Sequence, residues 1–550
     1  MTEHPNVSDV VAEVCARHTE VVFGLMGNGN AFFTSNLTAR GLPYISARHE
    51  AGTVAMADAY YRASGKVAVA TVTYGAGFTN SLTALTEAAK ARTPMVVVVG
   101  EAPTTGPRPW DIDQLMVARG LGVLTLSVGT GNAERLAEEA WSTARRERCP
   151  VVLSIPYDLS NEPAGPQETS AQPLPVVRTA PEPAVVEHLA TLLNRAKRPL
   201  FLAGNGAVIS GAGTALVELG DKLGALFATS VMARNSLDTP WDLGIAGGFA
   251  RMAPLQLMRS ADLVLVAGAS LNAFQTRYGS LFAEDAEVIQ IDELAAPTNP
   301  RVSTFVQADV RETALALTAA VSAVDGWRTE HPEVTTSAFA QDQPAEEFAA
   351  DGRLNPRAVA QALDTLLPTE RTIVQDGGHF CGWIPMYCEA PDPQGLMMVG
   401  TAFQSIGLGI PAAVGAAVAR PDRTTVLIAG DGGALMALAD LESAVRAIPS
   451  GVMVVFNDAA YGAEVHQYAA RGLDDTAMQI PEVDFSALGI AMGAQGVKVR
   501  SLSDLQMLKE WLCAGAEGLF VLDVAVTQTE VADYMRESMA PILAADAARR

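Results

Sequence analysis

A chain of 550 residues has room for two to four domains, and 49% apolar residues with 6% aromatics fit an Ala-, Gly- and Val-rich α/β protein with a large buried core. Its net charge of -23 opposes association with nucleic acid or with an anionic membrane surface, both of which attract basic proteins. The five cysteines show neither CxxC nor zinc spacing, residues 1–8 lack a signal-peptide pattern, and no apolar run reaches the ~20 residues of a spanning helix. A cytoplasmic protein with reduced thiols is expected.

Apolar, β-branched runs alternate with Ala-rich helical stretches, the pattern of parallel sheets covered by helices on both faces. The fold class predicted is α/β, with three doubly wound parallel-sheet domains. In the first, residues 1–165, strands are predicted at 21–24, 44–46, 67–71, 95–100 and 151–155, with a helix over 50–64. Residues 166–183 read as a polar, Pro-rich linker. A central domain over 184–325 has strands at 199–203, 226–229, 263–267 and 288–291. A second linker over 326–353 precedes the third domain, 354–530, with strands at 372–375, 425–429, 452–457 and 518–524.

Two strands of the third domain end in hard oxygen ligands. Val426 to Ala429 runs into Gly430-Asp431-Gly432-Gly433, and Val452 to Phe456 runs into Asn457-Asp458-Ala459. Gly-Asp-Gly alone is an ordinary strand-to-turn sequence. One crossover helix over 434–447 would return the chain to the adjacent parallel strand and place both ligands on one sheet edge, where aspartate and amide oxygens suit Mg²⁺ and a diphosphate. Gly432 and Gly433 leave room for close backbone approach.

With this pair the third segment resembles the pyrophosphate-binding domain of thiamine-diphosphate-dependent enzymes. The resemblance implies that Asp431, Asn457 and the carbonyl of Ala459 bind Mg²⁺, with Gly430, Gly432 and Gly433 along the diphosphate. Asp458 stands where the family has a second Asn. Asp376-Gly377-Gly378-His379 resembles a loop whose polar groups reach the diphosphate, which implies cofactor contact by His379. Thr401 to Gly407 resembles the segment that holds the cofactor bent, with Ile406 as the wedge and the Gln404 carbonyl as acceptor for the exocyclic amine.

This chemistry demands a carboxylate at the aminopyrimidine ring. Glu50 follows a predicted strand and opens an Ala-rich helix, a position that the helix dipole alone would favour for an acid. Arg48-His49-Glu50-Ala51-Gly52 also resembles the pyrimidine-binding domain of the family, which implies the catalytic role for Glu50, with Gly52 leaving room for close approach. Phe23 to Asn30 resembles the glycine loop that faces the substrate, and Asn28 is the residue there whose size and polarity vary with chemistry. Thr73 to Asn80 resembles Gly-Pro-Gly-Ala-Thr-Asn of acetolactate synthases, with Thr73 towards the cofactor and Phe78 in place of a small residue at the acceptor pocket.

Gln114, in Trp110 to Leu115, resembles the Gln of acetolactate synthases and acyl-CoA lyases that meets the intermediate. The paired histidines of the pyruvate-decarboxylase branch do not occur near it, which favours carboligation. In the central domain, relatives bind FAD, ADP or nothing, and none is assigned here. Gly268 to Phe274 lacks the Arg that relatives use in selecting the acceptor, and Arg277 compensates only if its loop shifts.

The expected function is therefore a thiamine-diphosphate- and Mg²⁺-dependent enzyme resembling acetolactate synthases. It would cleave a 2-oxoacid or related donor and transfer the activated unit to an aldehyde or ketone. Nonoxidative decarboxylation and acyl-CoA lyase chemistry are the alternatives. A noncatalytic cofactor-binding protein is disfavoured by the intact Glu50, Asp431 and Asn457. The resemblance also implies a homodimer or tetramer in which Glu50 of one subunit meets the metal site of another.

Overall fold

The structure is a computed structural model that describes residues 5–168, 178–324, 326–336, 338–340 and 342–549. Uncharged runs of Val, Ile, Leu and Ala become buried parallel strands, since both faces of such a sheet are covered by helices. The first sheet contains β1 (Val22–Gly24), β2 (Tyr44–Ser46), β3 (Ala68–Val72), β4 (Met95–Glu101), β5 (Leu124–Ser127) and β6 (Pro150–Pro156), in the order β2-β1-β3-β4-β6-β5. The second contains β7 (Pro199–Ala203), β8 (Leu226–Thr229), β9 (Asp242–Ile245), β10 (Leu263–Ala267), β11 (Glu287–Asp292) and β12 (Thr304–Gln307), ordered β12-β11-β10-β7-β8-β9.

The third sheet contains β13 (Arg371–Gln375), β14 (Leu396–Met398), β15 (Thr424–Gly430), β16 (Ser450–Asn457), β17 (Gln495–Val499) and β18 (Gly518–Ala525), ordered β14-β13-β15-β16-β18-β17. Its strand order repeats that of the first sheet. The central sheet instead has the order of dinucleotide-binding folds, with its switch point between β7 and β10. Three doubly wound domains are thus present.

Helix Glu50–Ser64 and helix Gly409–Ala419, each following the second strand of its domain, pack on one another. A Cβ on Gly415 would lie 1.9 Å from the Met56 carbonyl oxygen, so the two backbones touch. Phe23, Val54 and Leu85 share one buried cluster with Val374, Ile410 and Leu441, and this core joins the first and third domains.

Five strands escaped the hydrophobic pattern: β5, β9, β12, β14 and β17. All five are sheet edges. β5 has no buried residue and β17 only one, so no continuous apolar run marks them, while β14 is buried but only three residues long. The predicted crossover helix is broken into Asp431–Met436, a 3-10 turn at Leu438–Asp440, and Leu441–Ala447. Asp440 is turned to accept the Arg48 backbone N–H at 2.7 Å.

The linkers are also more ordered than their composition implies. The Glu168 N–H donates to the Gly131 carbonyl, so the first domain extends to that residue, while 169–177 of the predicted linker lie outside the described residues. Within the second linker Trp327 is buried in the central core, because its indole outweighs the polar residues around it. Beyond the predicted end of the third domain, helix Asp533–Arg549 packs Tyr534 against Phe249 and Phe274 of the central domain.

Candidate active site

β15 and β16 pair in register, Gly430 opposite Phe456, so Asp431 and Asn457 emerge side by side. Both are buried, at 3% and 1% exposure. Asp431 Oδ1 accepts the Gly432 N–H at 2.9 Å, and its Oδ2 has no partner. The Asn457 amide nitrogen donates to the Val483 carbonyl at 2.9 Å and to Asp523 Oδ1 at 2.8 Å, which fixes the ring of contacts so that its Oδ1 is the atom left unpartnered. Two buried acceptors without donors are costly.

A divalent cation is the group such oxygens fit. Burial pushes Asp431 up to about 6, and burial together with Asp431 pushes Asp458 up to about 7, whereas a bound cation would favour both charged forms. Ala459 sits at φ +59°, and its carbonyl already accepts the Ile480 N–H at 2.9 Å, leaving one lone pair for a metal. Among the described residues no three His, Cys, Asp or Glu side chains cluster as a metal site. The donor set is mixed, carboxylate, amide and backbone carbonyl, which suits a hard cation completed by phosphate oxygens.

A cleft opens beside Asp431, lined by Gly378, His379, Ile406, Gly430, Asp458 and Tyr461 among others. Every lining residue lies between 356 and 527. Gly432 and Gly433 admit the protein's own side chains: a Cβ would stand 2.7 Å from the Tyr461 ring at one and 2.8 Å from Asp376 Oδ2 at the other. The close approach expected of a ligand is made here by Tyr461, Asp376 and Ile406.

His379 is buried with its Nε2 unpartnered, and its ring lies 4.4 Å from that of His466. Burial, aided by His466, holds His379 down to about 3, so it is neutral at pH 7. Two histidines therefore do come together, one from the 3-10 turn His379–Gly382 and one from helix Gly462–Tyr468, beside Asp458. Sequence spacing contains no sign of His466.

The loop after β14 is tightly folded. The Ser405 N–H bonds the Gly400 carbonyl, Gln404 takes φ +60°, and the Gly407 N–H reaches both oxygens of Asp376 at 3.1 and 3.0 Å. Ile406 is left 40% exposed and faces the cleft. An Ile held out of a core in this way is available to a ligand.

In the first domain Glu50 is the first residue of its helix, and its Oε2 accepts from the Asn80 amide at 2.9 Å. Asn80 is a partner that the sequence alone did not single out. Gly52 serves another purpose than expected: a Cβ there would lie 2.2 Å from Asp440 Oδ2. Thr73 Oγ1 accepts the Gly29 N–H at 2.9 Å, and the Asn28 amide donates to the Tyr74 hydroxyl at 3.2 Å. Asn28 itself is exposed.

Three expected acceptor-site residues are placed elsewhere. Gln114 is 4% exposed, with Oε1 accepting the Gly75 N–H at 2.5 Å and Nε2 donating to the Gly100 carbonyl at 2.9 Å. Its amide fastens the Gly75 turn, whose combination of φ +60° and ψ -112° suits glycine, and both ends of that amide are already bonded to backbone. Phe78 is fully buried in the core shared with the third domain and does not line the cleft. Arg277 is also buried, held by Glu537 at 2.6 and 2.8 Å and by the Gly247 carbonyl, so it does not replace the missing Arg.

At the central switch point the Gly204 and Gly206 N–H groups bond the carbonyls of Ala267 and Gly268. A Cβ on Gly204 would lie 2.2 Å from the Gly268 oxygen. The loops at this crevice pack on each other's backbone, and no nucleotide is assigned to it.

Three family profiles match in chain order: "Thiamine pyrophosphate enzyme, N-terminal TPP binding domain" over residues 5–117, its central domain over 186–317, and its C-terminal TPP binding domain over 376–524. The chain belongs to the thiamine pyrophosphate enzyme family. A sulfoacetaldehyde acetyltransferase of Rhodobacter capsulatus is 28% identical over 96% of each chain. A catabolic acetolactate synthase of Raoultella terrigena is 27% identical, covering 90% of each. Among solved structures, benzoylformate decarboxylase from Polynucleobacter necessarius superposes with a TM-score of 0.82 at 21% identity, covering 96% of this chain and 99% of that one. As a thiamine pyrophosphate enzyme of the carboligase and decarboxylase type, this chain acts on small molecules, and no helix among its described residues is long and apolar enough to cross a membrane.

Proposed function

We propose that the chain is a Mg²⁺-dependent carboligase that takes a 2-oxoacid donor and an aldehyde or ketone acceptor. The donor's C1–C2 bond breaks with release of carbon dioxide, and its carbonyl carbon forms a bond to the acceptor carbonyl carbon, whose oxygen takes up a proton. The observation that carries this reading is the pair of buried, unpartnered oxygens, Asp431 Oδ2 and Asn457 Oδ1, at the ends of adjacent strands. The acetyltransferase and acetolactate synthase names among the relatives favour transfer over simple decarboxylation.

Thiamine diphosphate, when bound, supplies the electron sink for carbon–carbon cleavage. Asp431, Asn457 and the Ala459 carbonyl hold Mg²⁺ against the diphosphate, with Gly430, Gly432, Gly433 and His379 along the same wall. Ile406 and the Gln404 carbonyl would hold the cofactor's rings at the cleft wall. Glu50 would be the carboxylate that holds and moves a proton at the aminopyrimidine, with Asn80 orienting that carboxylate. Thr73 and Gln114 act by fixing the glycine loop and the Gly75 turn, while Asn28 meets the substrate.

No first-domain residue is among those that line the cleft, which supports a site completed by Glu50 of a second copy in a homodimer or tetramer. Met26, Trp110, Ile112, Leu115 and Met116 leave an exposed apolar face on the first domain for that partner. All five cysteines are free, in keeping with the cytoplasm. The test is incubation of the purified protein, loaded with thiamine diphosphate and Mg²⁺, with a set of 2-oxoacids and aldehydes. A coupled hydroxyketone supports the reading. Free aldehyde alone would favour the decarboxylase, a reading that the His379–His466 pair supports.

A further inference from the structure

Helix Ala76–Ala91 carries a carboxylate that the chemistry described so far leaves unused. Glu87 is 0% exposed. Its Oε1 lies 3.2 Å from Arg62 Nη2, and its Oε2 accepts the backbone N–H of Phe403 at 2.7 Å, across from the first domain to the third. Arg62 is meanwhile held by Asp58 at 2.6 and 3.1 Å and donates to the Met398 carbonyl at 2.9 Å. Thr93 completes the group with a 3.0 Å bond to Asp58.

A buried carboxylate with a single cationic neighbour, itself shared with a second carboxylate, is an expensive way to fill a core. One of its oxygens holds the segment from Met398 to Gly407 directly, and the other holds Arg62, which grips the same segment. Arg62 holds the start of that segment and Glu87 its middle, while Asp376 holds the end through the Gly407 N–H. Between the last two holds stand Gln404 at φ +60° and Ile406, which projects into the cleft. A non-glycine residue in the left-handed region persists only where its surroundings over-determine it.

We propose that Glu87 is a positioning residue for the cofactor: by gripping the Phe403 N–H it sets the seat of Ile406 and Gln404 at the cleft wall. This rests on the reading of the cleft as the thiamine diphosphate site. The same helix also carries Asn80, which orients Glu50, so one rigid element tends the loop of its own subunit's site and the acid offered to the partner's site.

The test is thiamine diphosphate affinity at fixed Mg²⁺, measured by calorimetry on the full-length apoenzyme. Binding by the unaltered protein comes first, and its absence would remove the functional reading and this inference together. Glu87→Asp keeps the charge opposite Arg62 but is one methylene too short to reach Phe403 as well, and it should weaken binding about tenfold. Glu87→Gln keeps an acceptor for Phe403 and loses the ion pair, and it should stay within about threefold of the unaltered protein while melting earlier. The reverse pattern would show that the charge, not the loop contact, matters.

Ile406→Ala supplies the second readout. If Glu87 acts through Ile406, Glu87→Asp combined with Ile406→Ala should bind within about threefold of the weaker single variant. Multiplicative losses, or unchanged affinity in Glu87→Asp, would overturn the proposal.

Discussion

The first and third domains share a strand order, and their corresponding helices pack face to face, yet their carboxyl edges are prepared for opposite tasks. After the second strand, the first domain presents Glu50 at a helix start, and the third presents Ile406 on a braced loop. After the third strand, the first domain has the Thr73–Gly75 turn, whose polar groups are spent on Gly29 and Gln114. The third has Asp431, with an oxygen left over. On the proposed function, one architecture yields a proton-handling edge and an anchoring edge. The difference lies in which polar atoms the surrounding protein leaves unpaired.

Glu50→Gln is the sharpest probe of that division, because it removes the proton exchange and leaves the anchor intact. Turnover should fall about a thousandfold, with thiamine diphosphate affinity unchanged by calorimetry. Loss of binding instead would erase the contrast between the two edges. Gly415→Ala tests the seam between the domains: a methyl 1.9 Å from the Met56 carbonyl must force the helices apart. A cost of about 3 kcal/mol in chemical unfolding is expected, and a neutral result would show the two halves to be loosely joined.

On the anchoring edge, Asp523→Ala removes one of the two acceptors that orient the Asn457 amide, leaving the Val483 carbonyl. Mg²⁺ affinity, titrated in the presence of thiamine diphosphate, should weaken about 10- to 100-fold, while the apoenzyme keeps its secondary structure by circular dichroism. The smallest effect concerns Asp376, which burial pushes up from 3.8 to about 6. The fold retains its proton to higher pH than the unfolded chain does, so this group's contribution to stability is full below about pH 3.8 and is lost as pH rises through about 6. Asp376→Asn, neutral throughout, should flatten that part of the apoenzyme's melting temperature against pH; an unchanged slope would mean that Asp376 ionises normally.

Interior strands were legible because burial on both faces demands an unbroken apolar run. Edge strands such as β5 and β17 were not, since half-exposed positions tolerate any residue. The helix Glu50–Ser64 was readable to the residue, with an acid at its start and Gly65 at φ +70° after its end. Asp431 and Asn457 were readable for a related reason: each sits directly at the end of an interior strand, so local sequence places it on the sheet edge.

Gln114, Phe78, Gly52 and Arg277 make contacts that the sequence did not indicate, for a common reason. Each stands in a loop or at a helix start near the expected site, and the sequence names the residue without telling which way its side chain turns. Gln114 turned inward to Gly75 and Gly100, Phe78 entered the shared core, Gly52 made room for Asp440, and Arg277 was taken by Glu537. His466 and Glu87 were invisible for the converse reason. Their partners, His379 and the Phe403 N–H, are distant in sequence and meet them only in the folded chain.

The sequence by itself determined the fold class, the three domains and the two oxygen ligands at strand ends, because hydrophobic periodicity and strand-end chemistry are local properties. Tertiary structure alone decided which polar atoms remain unsatisfied. Hydrogen-bond saturation is settled between distant segments, and only after Gly432, Val483 and Asp523 have claimed their partners do Asp431 Oδ2 and Asn457 Oδ1 stand free for a cation.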